Sequence, residues 1–175
     1  KFYPGAIGEV TEQSITIAVT KKLEQILTDM GANVIRLQTE SEGIGDRDRP
    51  RRANNYNADM FMSIHCNSTT NTAAHGCEIY YFTPWSQTLA KGIHDNLVSF
   101  FDGVYNDGTD SARGDKYSYY WYTLEQSFPS VLVEMGFVSN TRECLIMANP
   151  DNQTKMAQAI ANGIYQYFAR SELSY

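Results

Sequence analysis

The sequence predicts an α/β fold: a single domain with a twisted, mostly parallel central sheet and helices on both faces. Three observations predict it. Helix-spaced apolar residues alternate with short β-branched or aromatic runs. One of those runs, Asp59-Met60-Phe61-Met62-Ser63-Ile64-His65, is nearly continuous apolar, as in a strand covered on both faces. And 175 residues without a repeat, linker or low-complexity tract suit one domain around one core.

Taken in order, Ile15, Ala18, Val19, Leu23, Ile26, Leu27 and Met30 recur at helical spacing, and Gly31 follows as a stop signal. Asn33-Val34-Ile35-Arg36-Leu37 reads as a strand. Polar residues from Thr39 to Pro50 read as a loop, and a short helix is expected from Pro50 to Asn57. After the apolar run ending at His65, small polar residues from Asn67 to Ala74 form a loop. Gly76 to Phe82 is a further strand, ended by Pro84, and Ser86 is expected to cap a helix with Leu89, Ile93, Leu97 and Phe100/Phe101 on its apolar side. Asp102 to Lys116 reads as weakly structured, before an aromatic cluster from Tyr117 to Tyr122. Ser130 to Val133 is a strand, and Met156, Ile160, Ile164 and Phe168 mark a terminal amphipathic helix.

Composition excludes some partners. A formal net charge of −6, with its one dense charge run (Asp46 to Arg52) mixing signs, argues against nucleic acid or an anionic membrane. No stretch approaches the roughly 18 to 20 apolar residues of a membrane span, so no membrane insertion is expected. Three cysteines without a CxxC pair are read as free thiols in the core.

Three polar residues stand where the pattern leads one to expect apolar ones or nothing in particular. Glu134 follows four apolar-strand positions, Ser130-Val131-Leu132-Val133, and an ionised acid there costs several kcal/mol unless something compensates it. Either it is paired structurally or it does chemistry. His65 ends another apolar strand, and Glu12 lies just before the first long helix. In open α/β sheets ligands bind outside the carboxyl ends of the strands, so all three are expected to converge at one sheet edge. Each also has an ordinary reading: Glu12 favouring the helix dipole, His65 hydrogen-bonded at a strand end. His75, in a loop before Gly76, is placed to line a cleft, whereas His94 on a helix among charged residues is expected at the surface. No GxSxG elbow, GxxxxGK[ST] loop or HExxH helix is present.

With these residues in view, the chain resembles the zinc-dependent N-acetylmuramoyl-L-alanine amidases of the Amidase_3 type. Pro4-Gly5-Ala6-Ile7-Gly8, Glu12 leading into a helix, Ala58-Asp59 through Ser63-Ile64-His65-Cys66-Asn67, His75-Gly76-Cys77-Glu78, and Pro129 to Asn140 match that family's motifs in order. The resemblance implies a Zn2+ cofactor held by Glu12 and His65, with Glu134 as the catalytic residue. It further implies Asn67, His75 and Arg113 beside the substrate, and hydrolysis of the peptidoglycan amide bond between N-acetylmuramic acid and L-alanine by activated water. The expected protein is a monomer acting outside the cell, in the cell wall or periplasm. Residues 1–175 would then be the catalytic domain, with the family's first strand and first zinc histidine expected upstream of Lys1. Two other readings stay open: a catalytically silent cell-wall-binding domain of the same fold, and a metal hydrolase acting on another amide.

Overall fold

The structure, a computed structural model, describes residues 6–37, 48–120 and 126–172. Among these described residues nine elements follow one another: α1 (Glu12–Asp29), α2 (Asp48–Asn55), β1 (Phe61–Asn67), β2 (Cys77–Tyr81), α3 (Pro84–Tyr105), β3 (Ala112–Tyr117), β4 (Ser130–Phe137), α4 (Thr141–Ala148) and α5 (Pro150–Glu172). The strands form one sheet in the order β1-β4-β2-β3. β1 runs parallel to β4 and β2 parallel to β3, while β2 meets β4 antiparallel. The expected α/β architecture is therefore present, as a mostly parallel sheet with one antiparallel junction.

Alternation along the strands divides the sheet into two chemically different faces. Met62 and Ile64 of β1 sit level with Val131 and Val133 of β4, and Ile79 of β2 is also level with Val133. These residues pack with Ile15, Val19 and Leu23 of α1, with Leu89, Ile93, Leu97 and Phe101 of α3, and with Met156, Ile160 and Ile164 of α5 in one apolar core. The other parity carries Ser63 and His65, then Leu132 and Glu134, then Glu78 and Tyr80. On β1, β4 and β2 the polar residues that shape the site thus share one side of the sheet. α1 begins where Thr11 Oγ1 accepts from the Ser14 N–H, with Glu12 as its first residue. α3 and α5 approach backbone to backbone at Gly163, where a Cβ would stand 2.6 Å from the Ile93 nitrogen.

Several sequence expectations are corrected. Residues 33–37 are not a strand. A β-branched run supplies local preference but needs a neighbouring ladder; here Arg36 instead pairs with Glu24 of α1 at 2.8 Å and Ile35 is exposed. Pro84 does not merely end β2. It opens α3, where its fixed φ suits the first helical turn, and Ser86 is a fully buried helix residue whose Oγ accepts from the Ser130 N–H at 3.0 Å. The stretch from Asp102 to Lys116 is ordered: α3 continues through it to Tyr105 and β3 supplies an edge strand. His94 is buried, not at the surface, and its Nε2 accepts from the Gly114 N–H at 2.9 Å. α4 was not foreseen. Of the loop expected from Thr39 to Pro50, residues 39–47 lie outside the described residues and 48–50 already belong to α2; Tyr122 of the aromatic cluster also lies outside them. All three cysteines are free and buried, as expected.

Candidate active site

His65 lies two residues before the end of β1, and the start of α1 brings Glu12 beside it. His65 Nδ1 lies 2.9 Å from Glu12 Oε1, so the imidazole N–H donates to the carboxylate. The second oxygen of Glu12 accepts from the Ala6 N–H at 2.8 Å, and the Cys66 N–H reaches Oε1 at 3.3 Å. Burial works against ionisation of Glu12, but the hydrogen bonds from His65 and the backbone outweigh it and hold the carboxyl below its ordinary value. His65 Nε2 lies 2.8 Å from Ser63 Oγ, which fixes the ring from its other side. Residues 53 positions apart in the chain therefore share one small polar site.

Glu134 sits directly across from His65 in the β1–β4 register and across from Glu78 in the β2–β4 register. Its Oε2 is buried and, among the described residues, has no hydrogen-bond partner. Burial pushes its carboxyl up to about 8, and the negative charges of Glu12 and Glu78 add to that shift. Among the described residues, no structural pairing makes this acid ordinary. After Glu134 the β1–β4 ladder slips: His65 pairs with Glu134 but Asn67 with Phe137, so β4 carries an extra residue. Such a bulge re-aims side chains, and Phe137 comes to line the same cleft as Glu134.

That cleft has a volume of about 540 Å³. Asn67, His75 and Arg113, the residues expected beside the substrate, all line it, together with Glu134, Glu78, Tyr80 and Tyr120. Glu12 and His65 lie beside the cleft and are not part of its lining. His75 Nδ1 is turned to the Ala73 carbonyl at 2.9 Å.

Two buried carboxyl groups shape this region and were not singled out from the sequence. Glu78 is 3% exposed and accepts from Asn67 Nδ2 (2.7 Å), the Tyr80 hydroxyl (2.7 Å), Arg113 Nε (2.9 Å) and Lys116 Nζ. Burial alone would raise its carboxyl; the donors, Lys116 foremost, hold it below the ordinary value instead. It orients Asn67 and Arg113 toward the cleft. The signal was available, since an acid within the apolar run Cys77 to Tyr81 is as costly as one at Glu134. Glu143 is fully buried and joins three segments: Oε1 accepts from the Gly76 N–H at 2.7 Å and from the Tyr105 hydroxyl, and Oε2 accepts from the Phe137 N–H at 2.7 Å. Gly76 needs its glycine, with φ +96° and the Ser111 carbonyl oxygen 2.5 Å from where a Cβ would stand.

The donor set can be compared with what a zinc ion takes. A carboxylate and an imidazole within hydrogen-bond distance, next to an orphaned carboxyl oxygen, are ligand types and surroundings that suit Zn2+. Among the described residues no group of three His, Cys, Asp or Glu side chains is positioned to hold an ion; Glu12 and His65 offer two donor side chains, and His75 does not join them.

Comparison with known proteins gives a concordant result. A profile described as N-acetylmuramoyl-L-alanine amidase matches residues 3–166. The uncharacterized protein YqiI of Bacillus subtilis is 31% identical over 169 residues, covering 94% of this chain and 78% of YqiI. The N-acetylmuramoyl-L-alanine amidase LytC of Bacillus subtilis is 29% identical over 169 residues, covering 94% of this chain but only 33% of LytC. Among solved structures, the catalytic domain of CwlV, an N-acetylmuramoyl-L-alanine amidase from Bacillus (Paenibacillus) polymyxa var. colistinus, aligns with a TM-score of 0.86 at 29% identity, covering 95% of this chain and 91% of that chain. With its motifs in order along nearly the whole matched span, this chain belongs to the N-acetylmuramoyl-L-alanine amidase family.

Proposed function

We propose that the chain is a zinc-dependent peptidoglycan amidase that cleaves the bond between N-acetylmuramic acid and L-alanine. The observation that carries this is the orphaned, buried oxygen of Glu134, a residue that lines the cleft and stands in register with His65. A silent binding domain leaves that unpaired acid without a purpose, whereas a hydrolase uses it. Glu12 and His65 would hold the ion together with a further donor. Zinc, when bound, would polarise the scissile carbonyl, acidify a nearby water and favour the ionised form of Glu134.

The chain's own residues supply the rest. Glu134 takes the proton from the attacking water and returns it to the departing amine of L-alanine. Ser63 and Glu12 hold the His65 ring in one orientation. Arg113 and Asn67, braced by Glu78, offer donors to the substrate at the cleft wall. Action in the cell wall or periplasm, as a monomer, belongs to the same reading; among the described residues no helix is long and apolar enough to cross a membrane.

End-group identification on digested peptidoglycan tests the proposal. New L-alanine amino termini are expected, abolished by a chelator and restored by zinc. New reducing sugar ends, or amino termini of other residues without L-alanine, would contradict it.

A further inference from the structure

The cleft wall built by β2 and β3 carries more positive charge than its own acid balances. Arg113 Nε lies 2.9 Å from Glu78 Oε2, and Lys116 Nζ bonds the same oxygen, so two cations share one carboxylate. Of the two, Arg113 lines the cleft and Lys116 does not. The Arg113 guanidinium reaches back over β2, its carbon 4.9 Å from the centre of the Phe137 ring on β4. Among the described residues only its Nε has a hydrogen-bond acceptor, which leaves both terminal nitrogens for something else.

The edge strand is bent where it presents this side chain. In the β2–β3 ladder Cys77 is level with Ala112 and Ile79 with Asp115, so Arg113 and Gly114 together stand against Glu78. Gly114 accommodates that two-against-one bulge with φ +91°, and its N–H donates to Nε2 of the buried His94 at 2.9 Å. The bulge, the Glu78 carboxylate and the face of Phe137 hold one guanidinium in one place before any ligand arrives.

A guanidinium fixed in this way suits a planar anion, since its two terminal N–H groups match both oxygens of a carboxylate. Position says which carboxylate. Glu78 is directly opposite Glu134, paired strands lie about 4.8 Å apart, and consecutive Cα atoms of a peptide lie about 3.8 Å apart. The group that meets Arg113 therefore sits about one residue beyond the amide that Glu134 serves. In a peptidoglycan stem the residue after L-alanine is acidic and is linked onward through its side chain. Its α-carboxyl group is left as a free carboxylate or is capped as an amide.

We propose that Arg113 binds this α-carboxylate and makes the chain selective for stem peptides in which it is free. The selectivity rests on the peptidoglycan reading above, since that reading supplies the stem.

The test is calorimetric binding of two N-acetylmuramoyl tripeptides, identical except that the α-carboxyl group of the second residue is free in one and amidated in the other. The full-length protein carrying Glu134→Gln, which stops turnover, is expected to bind the free form roughly tenfold or more tighter. Adding Arg113→Gln is expected to bring the two affinities together, whereas a general disturbance of the cleft would weaken both alike and leave their ratio unchanged. Arg113→Lys, which keeps the charge but not the fork, is expected to retain part of the preference. Equal affinities without the Arg113 substitution, a preference that survives Arg113→Gln, or no binding of either tripeptide would overturn the carboxylate site. Cleavage of both tripeptides by the protein with its native Glu134 separates the two proposals. Cleavage with equal kcat/KM removes the carboxylate site and keeps the amidase; carboxylate-dependent binding without cleavage keeps the site and removes the amidase.

Discussion

Glu134→Gln is expected to fold normally and to lose roughly 10²- to 10⁴-fold in turnover of peptidoglycan, the range spanned by general acid–base groups. The amide keeps the volume and shape of the carboxyl but can neither take nor return a proton. Zinc affinity should remain, since Glu12 and His65 are untouched. The same substitution carries a stability signature in metal-free protein. The Glu134 carboxyl is raised from 4.5 to about 8, so the folded state holds a proton that the unfolded chain has already released. Between those values the folded state binds more protons than the unfolded one, and stability falls as pH rises. Relative to Glu134→Gln, wild type should therefore lose thermal stability progressively from about pH 4.5 to about pH 8 in the presence of a chelator. Parallel melting curves of the two proteins at several pH values check this; a constant difference across that window would mean the acid is not strained by burial.

Glu143→Ala is expected to be the most destabilising single change among the residues described here, by about 3–5 kcal/mol. Truncation strands the N–H groups of Gly76 and Phe137 and the hydroxyl of Tyr105 in a fully buried place where water does not replace the lost acceptor. For a chain of this size that corresponds to a fall in melting temperature on the order of 10 °C. Glu143→Gln should cost less, about 1–3 kcal/mol, because one acceptor oxygen survives while the new NH2 faces a donor. Activity should fall with Glu143→Ala even below its melting temperature, since Gly76 follows His75 and Phe137 lines the cleft. A melting temperature within a degree or two of wild type would show that the three donors find other partners.

Legibility in the sequence followed the physics of each element. α1, α3 and α5 are long enough to repeat an apolar face several times, and their existence was readable from spacing alone. α4 has eight residues, too few for a period to stand out. Residues 33–37 carry strand preference, but a strand is defined by its partner, and preference contains no information about partners. The convergence of Glu12, His65 and Glu134 was readable because the apolar runs stop at His65 and Glu134 and α/β topology brings those strand regions and the start of α1 together, although β1 continues to Asn67 and β4 to Phe137. Glu143 was hidden by an ordinary local explanation. Asn140 and Glu143 have the spacing of a capping box, and Asn140 does accept from the Glu143 N–H at 3.2 Å, but the Glu143 carboxyl leaves the helix end to bond distant segments. Only the assembled chain reveals that choice. Glu78 was missed for a different reason, since the burial argument applied to Glu134 was equally valid for it.

Zinc titrated into the metal-free full-length protein, read by competition with a chromogenic chelator, tests the central claim most directly: the Glu12–His65 pair holds a divalent cation beside Glu134. The account predicts one zinc per chain for wild type and binding weakened by roughly a hundredfold or more in His65→Ala. Equal affinity of His65→Ala and wild type, or no stoichiometric zinc in wild type, would contradict it.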